Sequence, residues 1–132
     1  MDPSLPMHLA PKPAFRGWSH KVALAVAVVL CPLLISASPD ARLLSSLYSV
    51  AVIGLFGISS CYHGFSWSAS AHDVMRRIDH SMIFITIAAT YTPISWLLLP
   101  RTAAITVLIA VWTGALIGCL LYTSPSPRDN RT

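Results

Sequence analysis

The sequence contains no glutamate; its five acids are all aspartate. Charged residues make up 11% of its 132 residues, less than half of the roughly 25% that a soluble domain carries. Cysteine is scarce as well. Cys31, Cys61 and Cys119 are odd in number, irregularly spaced and each set in an apolar run. That pattern excludes a disulfide framework and offers no cysteine zinc site; each reads as a small, buried, apolar side chain. The net charge of +4 is spread over short links and tails. A nucleic-acid partner would need basic residues clustered on one polar face, so none is expected.

What is present is apolar. Hydrophobic residues make up 55% of the chain, and the mean hydropathy is +0.64. Four apolar runs predict membrane helices over about 22–38, 43–63, 77–99 and 103–122. Each approaches the roughly 20 residues needed to cross about 30 Å of hydrocarbon. Residues 1–17 read as a polar tail rich in proline. Lys12, Arg16 and Lys21 precede the first run, which also fits a signal peptide ending near Ser36-Ala37-Ser38; the apolar runs that follow make it an ordinary span. Pro32 and Pro93 are expected to bend their helices. Residues 64–75 read as a polar, aromatic link along the membrane surface. Pro100-Arg101-Thr102 is a tight connection that makes the third and fourth helices antiparallel neighbours. The fourth reads as scaffold.

The ionisable side chains concentrate around one link. His63 ends the second run and Asp79 opens the third, whereas nothing from Leu43 to His72 carries a fixed charge. Ser45, Ser49, Val52, Phe56, Ser59 and His63 recur every three or four residues and so share one helical face. Asp79, Met82 or Ile83, Thr86, Thr90 and Pro93 do the same on the next helix. Lys12, Arg16, Lys21, Arg76, Arg77, Arg128 and Arg131 fall on one side of the membrane, against Arg42 and Arg101 on the other. The positive-inside rule therefore places both termini and the second link in the cytoplasm. His63 and Asp79 are expected at one depth near that surface, facing Ser59.

An acid at a membrane helix is a functional-site candidate, because leaving water costs it free energy. Imidazole and carboxylate both ligate zinc, and a serine nearby can orient a bound water. Plainer readings stay open. Asp79 can pair with Arg76 one turn earlier, or favour the positive end of its helix; His63 can be an interfacial histidine. His80 points about 100° away from Asp79, and His8, His20 and His72 read as tail or interface residues. One His and one Asp amount to half a metal site.

Ser59-Ser60-Cys61-Tyr62-His63, then Arg76-Arg77-Ile78-Asp79-His80, then Ala89-Thr90-Tyr91-Thr92-Pro93 resemble the hemolysin III branch of the progestin and adipoQ receptor family. The opening Lys12-Pro13-Ala14-Phe15-Arg16-Gly17-Trp18-Ser19-His20 is similar to the start of its bacterial members. The resemblance covers roughly residues 12–122. It implies an all-α membrane protein carrying about four helices of a seven-helix bundle, with a zinc ion near the cytoplasmic face of a bacterial cell membrane. It makes His63 a zinc ligand and puts Asp79 and Ser59 at the metal or its water. Two further histidines come, in that family, from a His-x-x-x-His motif on the last helix, and this sequence has no such motif. Residues 123–132 are accordingly expected to be an unrelated, disordered tail joined to a truncated domain.

Distant relatives of the family include ceramide-cleaving membrane hydrolases. Zinc-dependent hydrolysis of a lipid amide is thus the leading expectation for the intact protein, with the lipid bilayer as its setting. The rival is a non-enzymatic pore-forming, cytolytic or receptor-like membrane protein.

Overall fold

The computed structural model describes residues 17–123, all but eight of them helical. The amino-terminal tail before Gly17, with His8, Lys12 and Arg16, lies outside the described residues. So does the carboxyl tail after Thr123, with Arg128 and Arg131.

Four helices follow one another: α1 Trp18–Ala37, α2 Arg42–Gly64, α3 Ala69–Leu98 and α4 Arg101–Thr123, with a 3-10 turn over Pro39–Ala41. Each is long and apolar enough to cross a membrane. Pro32 and Pro93 sit within α1 and α3, which continue through them. Neighbouring helices absorb the freed backbone groups in such spans. Large apolar side chains point outward along the whole length, Leu43, Val50, Leu98 and Leu121 being the most exposed. Such an extensive apolar surface suits lipid, not water.

α3 begins at Ala69, well before the expected start near residue 77. Ser68 is its N-cap, and its hydroxyl accepts a hydrogen bond from the Ala71 N–H at 3.3 Å. That satisfies one of the orphan donors of the first turn. The preceding link folds back through the Trp67 indole, which donates to the Cys61 carbonyl at 3.2 Å. The link is therefore confined to residues 65–68. The polar stretch expected to lie along the surface is largely the first two turns of α3. At 30 residues, α3 is about 45 Å long, well beyond the hydrocarbon thickness, so polarity there marks a helix emerging into the interface.

The helices pack in chain order. α1 lies on α2, α2 on α3 and α3 on α4, and among the described residues no other pair of α-helices meets closely. The contacts explain why. On α2, Phe56 and His63 touch α1, while Ala51 and Gly54 touch α3. At about 100° per residue, these two sets lie on nearly opposite sides of α2. On α3, Met82 and Thr86 meet α2, and Ser81, Phe84 and Thr92 meet α4. Those sets are also nearly opposed. The result is a row of helices, one layer thick.

Small residues and hydrogen bonds hold the α3–α4 seam. The Trp112 indole donates to the Thr92 hydroxyl at 2.9 Å, and the Cys119 thiol donates to the Ser81 carbonyl at 3.5 Å. Gly118 abuts the Phe84 ring so closely that a Cβ there would lie 2.7–2.8 Å from its carbons. Gly118→Ala is therefore expected to destabilise the fold by about 1–3 kcal/mol through overpacking. Gly114 has open space around it, so Gly114→Ala is expected to be neutral or stabilising. Thermal unfolding of both variants in detergent separates packing from propensity. Equal melting temperatures would show that Phe84 yields.

Candidate functional site

Three cross-helix contacts set the register of α2 against α3. Thr86 donates to the Ala51 carbonyl at 3.4 Å, Gly54 meets the Met82 methyl, and the Tyr62 and His72 rings are 5.2 Å apart. Counting along both helices puts Asp79 level with about Gly57. His63 is then about six residues, roughly 9 Å, nearer the helix end. The two residues thus lie within about two helical turns of each other in depth, offset but near the same end of the helices. The cause of the offset is the early start of α3, which places Asp79 in the third turn and not at the helix mouth.

Asp79 is buried. Its azimuth lies about 20° from that of Thr86, so it is directed at α2. Ser59, also buried, is the predicted site residue nearest its level and lies within about two residues of it. Ser59 and Asp79 are thus buried at about the same level, Ser59 on the side of α2 nearer His63 than the Ala51 and Gly54 face that meets α3. Arg76 is taken by Asp73, 3.7 Å away in an exposed pair, and a position in the third turn is too far in for a helix-end effect, which fades within the first turn. Both plainer readings of Asp79 lose their support.

His63 is turned elsewhere. Its ring stacks on His20 of α1, with centroids 5.8 Å apart and planes 25° from parallel, and meets the edge of Tyr62 at 4.7 Å. Gly17 holds it from the other side. That glycine adopts φ 78°, the left-handed region, and a Cβ on it would lie 2.9 Å from the His63 Cβ. Only glycine both tolerates that dihedral and permits the approach. Gly17, immediately before α1, is thereby pressed onto the end of α2.

His80, set aside on helical phase, stands beside Asp79 after all. Its Nδ1 is 4.0 Å from Asp79 Oδ2. The same nitrogen donates to the Arg76 carbonyl at 2.7 Å, which fixes the tautomer and leaves Nε2 without its proton in the neutral ring. The ring stacks on Tyr122 of α4 at 5.4 Å. Adjacent residues on a helix diverge at the backbone, but a flexible ring can swing back, and helical phase alone misses this. His20 was missed because a histidine at the start of a span is indistinguishable, in sequence, from an interface anchor.

Among the described residues, no three His, Cys, Asp or Glu side chains come together where a metal ion could be held. A catalytic zinc takes about three protein donors, so the described residues do not complete such a centre.

The model of the family described as haemolysin-III related matches residues 9–132. A hemolysin-3 homolog of Bacillus subtilis (strain 168) is 34% identical over 73 residues, covering 55% of this chain and 34% of that protein. The match therefore spans about a third of the curated relative's length. No solved structure matches the chain. Four helices suited to a bilayer, polar side chains gathered between them, and a family match along nearly the whole sequence lead to one conclusion: the chain belongs to the haemolysin-III related family of membrane proteins.

Proposed function

We propose that the intact protein is a zinc-dependent membrane hydrolase acting on a lipid amide, to which this chain contributes His63, Asp79 and Ser59. One observation carries the reading. Asp79 is buried in an apolar helix layer, whereas the other described acids, Asp40 and Asp73, are exposed. A carboxylate kept out of water in a membrane protein is costly and is retained for chemistry. In this role Asp79 accepts and returns the proton that amide cleavage must move, and Ser59 positions the polar group next to it.

His63 and Asp79 are two donors, fewer than a catalytic zinc takes, so this chain alone is inactive in the proposal. The remaining donors belong to parts of the intact protein beyond the described residues. The proposal sets the site toward the cytoplasm of a bacterial cell membrane, as the distribution of Lys and Arg favours.

The test supplies a long-chain N-acyl lipid to the full-length protein in bilayers and follows the fatty acid released. Release that a zinc chelator stops and added zinc restores supports the hydrolase. Ion conductance indifferent to the chelator, with no fatty acid released, would instead identify the pore-forming alternative.

A further inference from the structure

At the end of the layer opposite His63, the arginines that open α2 and α4 converge on one cavity. α2 and α4 flank α3 without meeting closely. Near this end the space between them is a cavity of about 420 Å³. Leu43 and Leu44 of α2 form one wall and Leu108 of α4 the other, with Thr92 and Trp96 of α3 between them. The Thr92 hydroxyl is already engaged by the Trp112 indole, so the cavity offers mainly apolar surface. Arg42 stands at its edge together with Asp40. Arg101 reaches it by way of Trp96, its guanidinium carbon lying 3.7 Å from the centroid of that ring.

Charge is unbalanced there. Both arginines are exposed, and neither side chain has an ion-pair partner among the described residues. Stacking on an indole uses the flat face of Arg101 and leaves its in-plane N–H donors for an anion. Two cations against the single Asp40 leave the edge positive. Beneath it the surface is apolar and open, Leu43 being 84% exposed. Leu108 lies seven residues into α4, about 10 Å deeper than Arg101. A ligand suited to this shape is anionic at the top and apolar below. A soluble anion meets only the first requirement, whereas a phospholipid meets both. Guanidinium donors match phosphate oxygens, and an indole belongs at headgroup level. We propose that this groove binds an anionic phospholipid, its phosphodiester held between Arg42 and Arg101 and the upper part of one acyl chain laid against Thr92, Trp96 and Leu108. A hydroxyl of the headgroup donates to Asp40. The lipid is a resident ligand that fills the gap between α2 and α4. It lies far from Ser59, His63 and Asp79 and takes no part in the proposed hydrolysis.

Native mass spectrometry of the full chain in detergent tests this. Titration with phosphatidylglycerol or phosphatidylcholine of matched acyl chains counts bound lipids and gives their affinities. One phosphatidylglycerol is expected to bind about tenfold more tightly than phosphatidylcholine, and Arg42→Gln and Arg101→Gln are each expected to weaken it about fivefold. Arg76→Gln, near the other end of α3, should leave binding unchanged. Arg42 is exposed and its side chain has no ion-pair partner among the described residues, so its replacement spares the fold and decides the matter if Arg101→Gln is unfolded. Equal affinity for the two lipids, or an equal loss in Arg76→Gln and Arg42→Gln, would reveal general charge attraction and overturn the site. Excess inorganic phosphate should leave the lipid in place; displacement by phosphate would show an anion site that makes no use of the cavity and would overturn the lipid. None of these readouts depends on turnover, so the outcome is separate from that of the hydrolase.

Discussion

Asp79→Asn in the full-length protein is expected to lower lipid-amide turnover by about 10²–10⁴-fold, the range that a positioned general acid or base supplies. The substitution keeps the shape of the side chain and removes its charge. Asp79 is buried and faces α2 at the level of Ser59, and an amide there can accept hydrogen bonds but cannot take up a proton. Stability should not suffer. A buried carboxylate whose one charged neighbour is the half-exposed His80, 4.0 Å away, is itself a burden on the fold, so the variant is expected to melt at or above the temperature of the parent. The pair of readouts decides the matter. Activity within a few fold of the parent, in a protein that melts normally, would remove Asp79 from the chemistry.

The 132-residue chain itself is expected to retain far less than one zinc per chain after dialysis, and to hydrolyse no lipid. A pair of donors leaves an ion largely hydrated and easily lost, whereas a stable zinc centre is closed by four ligands or by three and a water. Supplying the missing donors should reverse this. A chain extended by a helix bearing two histidines one turn apart is expected to bind zinc about 100-fold or more tightly than the parent, and His63→Ala should abolish that gain. Metal analysis of both proteins is the measurement. One zinc held through dialysis by the unextended chain, lost in His63→Ala, would show that its own residues suffice.

The four spans were legible because each is a long apolar run, and length against bilayer thickness leaves few alternatives. The packing of α3 on α4 was legible from the short Pro100-Arg101-Thr102 connection, which the structure shortens to the two residues between Leu98 and Arg101. The start of α3 was not. Its first turns are polar, and polarity in a membrane protein is read as a link unless a cap is recognised. Ser68 was that signal, followed by Ala69-Ser70-Ala71, which holds nothing that breaks a helix.

The site divides in the same way. Helical phase placed Ser59 and His63 within about 40° of each other on α2, and both do avoid the lipid-facing side. Phase cannot say which neighbour a residue at the edge of that face will meet. Because α1 and α3 flank α2 on nearly opposite sides, a rotation of this size is enough to send His63 to His20 while Ser59 stays near the level of Asp79. The spacing of Phe56, Ser60 and His63, read as a face for α1, would have found the seam. Gly17 immediately before the first span was the other clue, since a glycine at a helix start invites a close approach.

The single-file order of the helices bears on how the protein is made. Among the described residues, every close seam joins segments consecutive in the chain, so none of these seams must wait for a distant partner to be synthesised. Each new span can dock on the one inserted just before it, and the search for native neighbours stays local. Assembly on the ribosome can then keep pace with translation, one hairpin at a time. The buried hydroxyls and the Asp79 carboxylate gain protein neighbours as soon as the adjoining helix arrives, which limits how long each stands exposed to hydrocarbon.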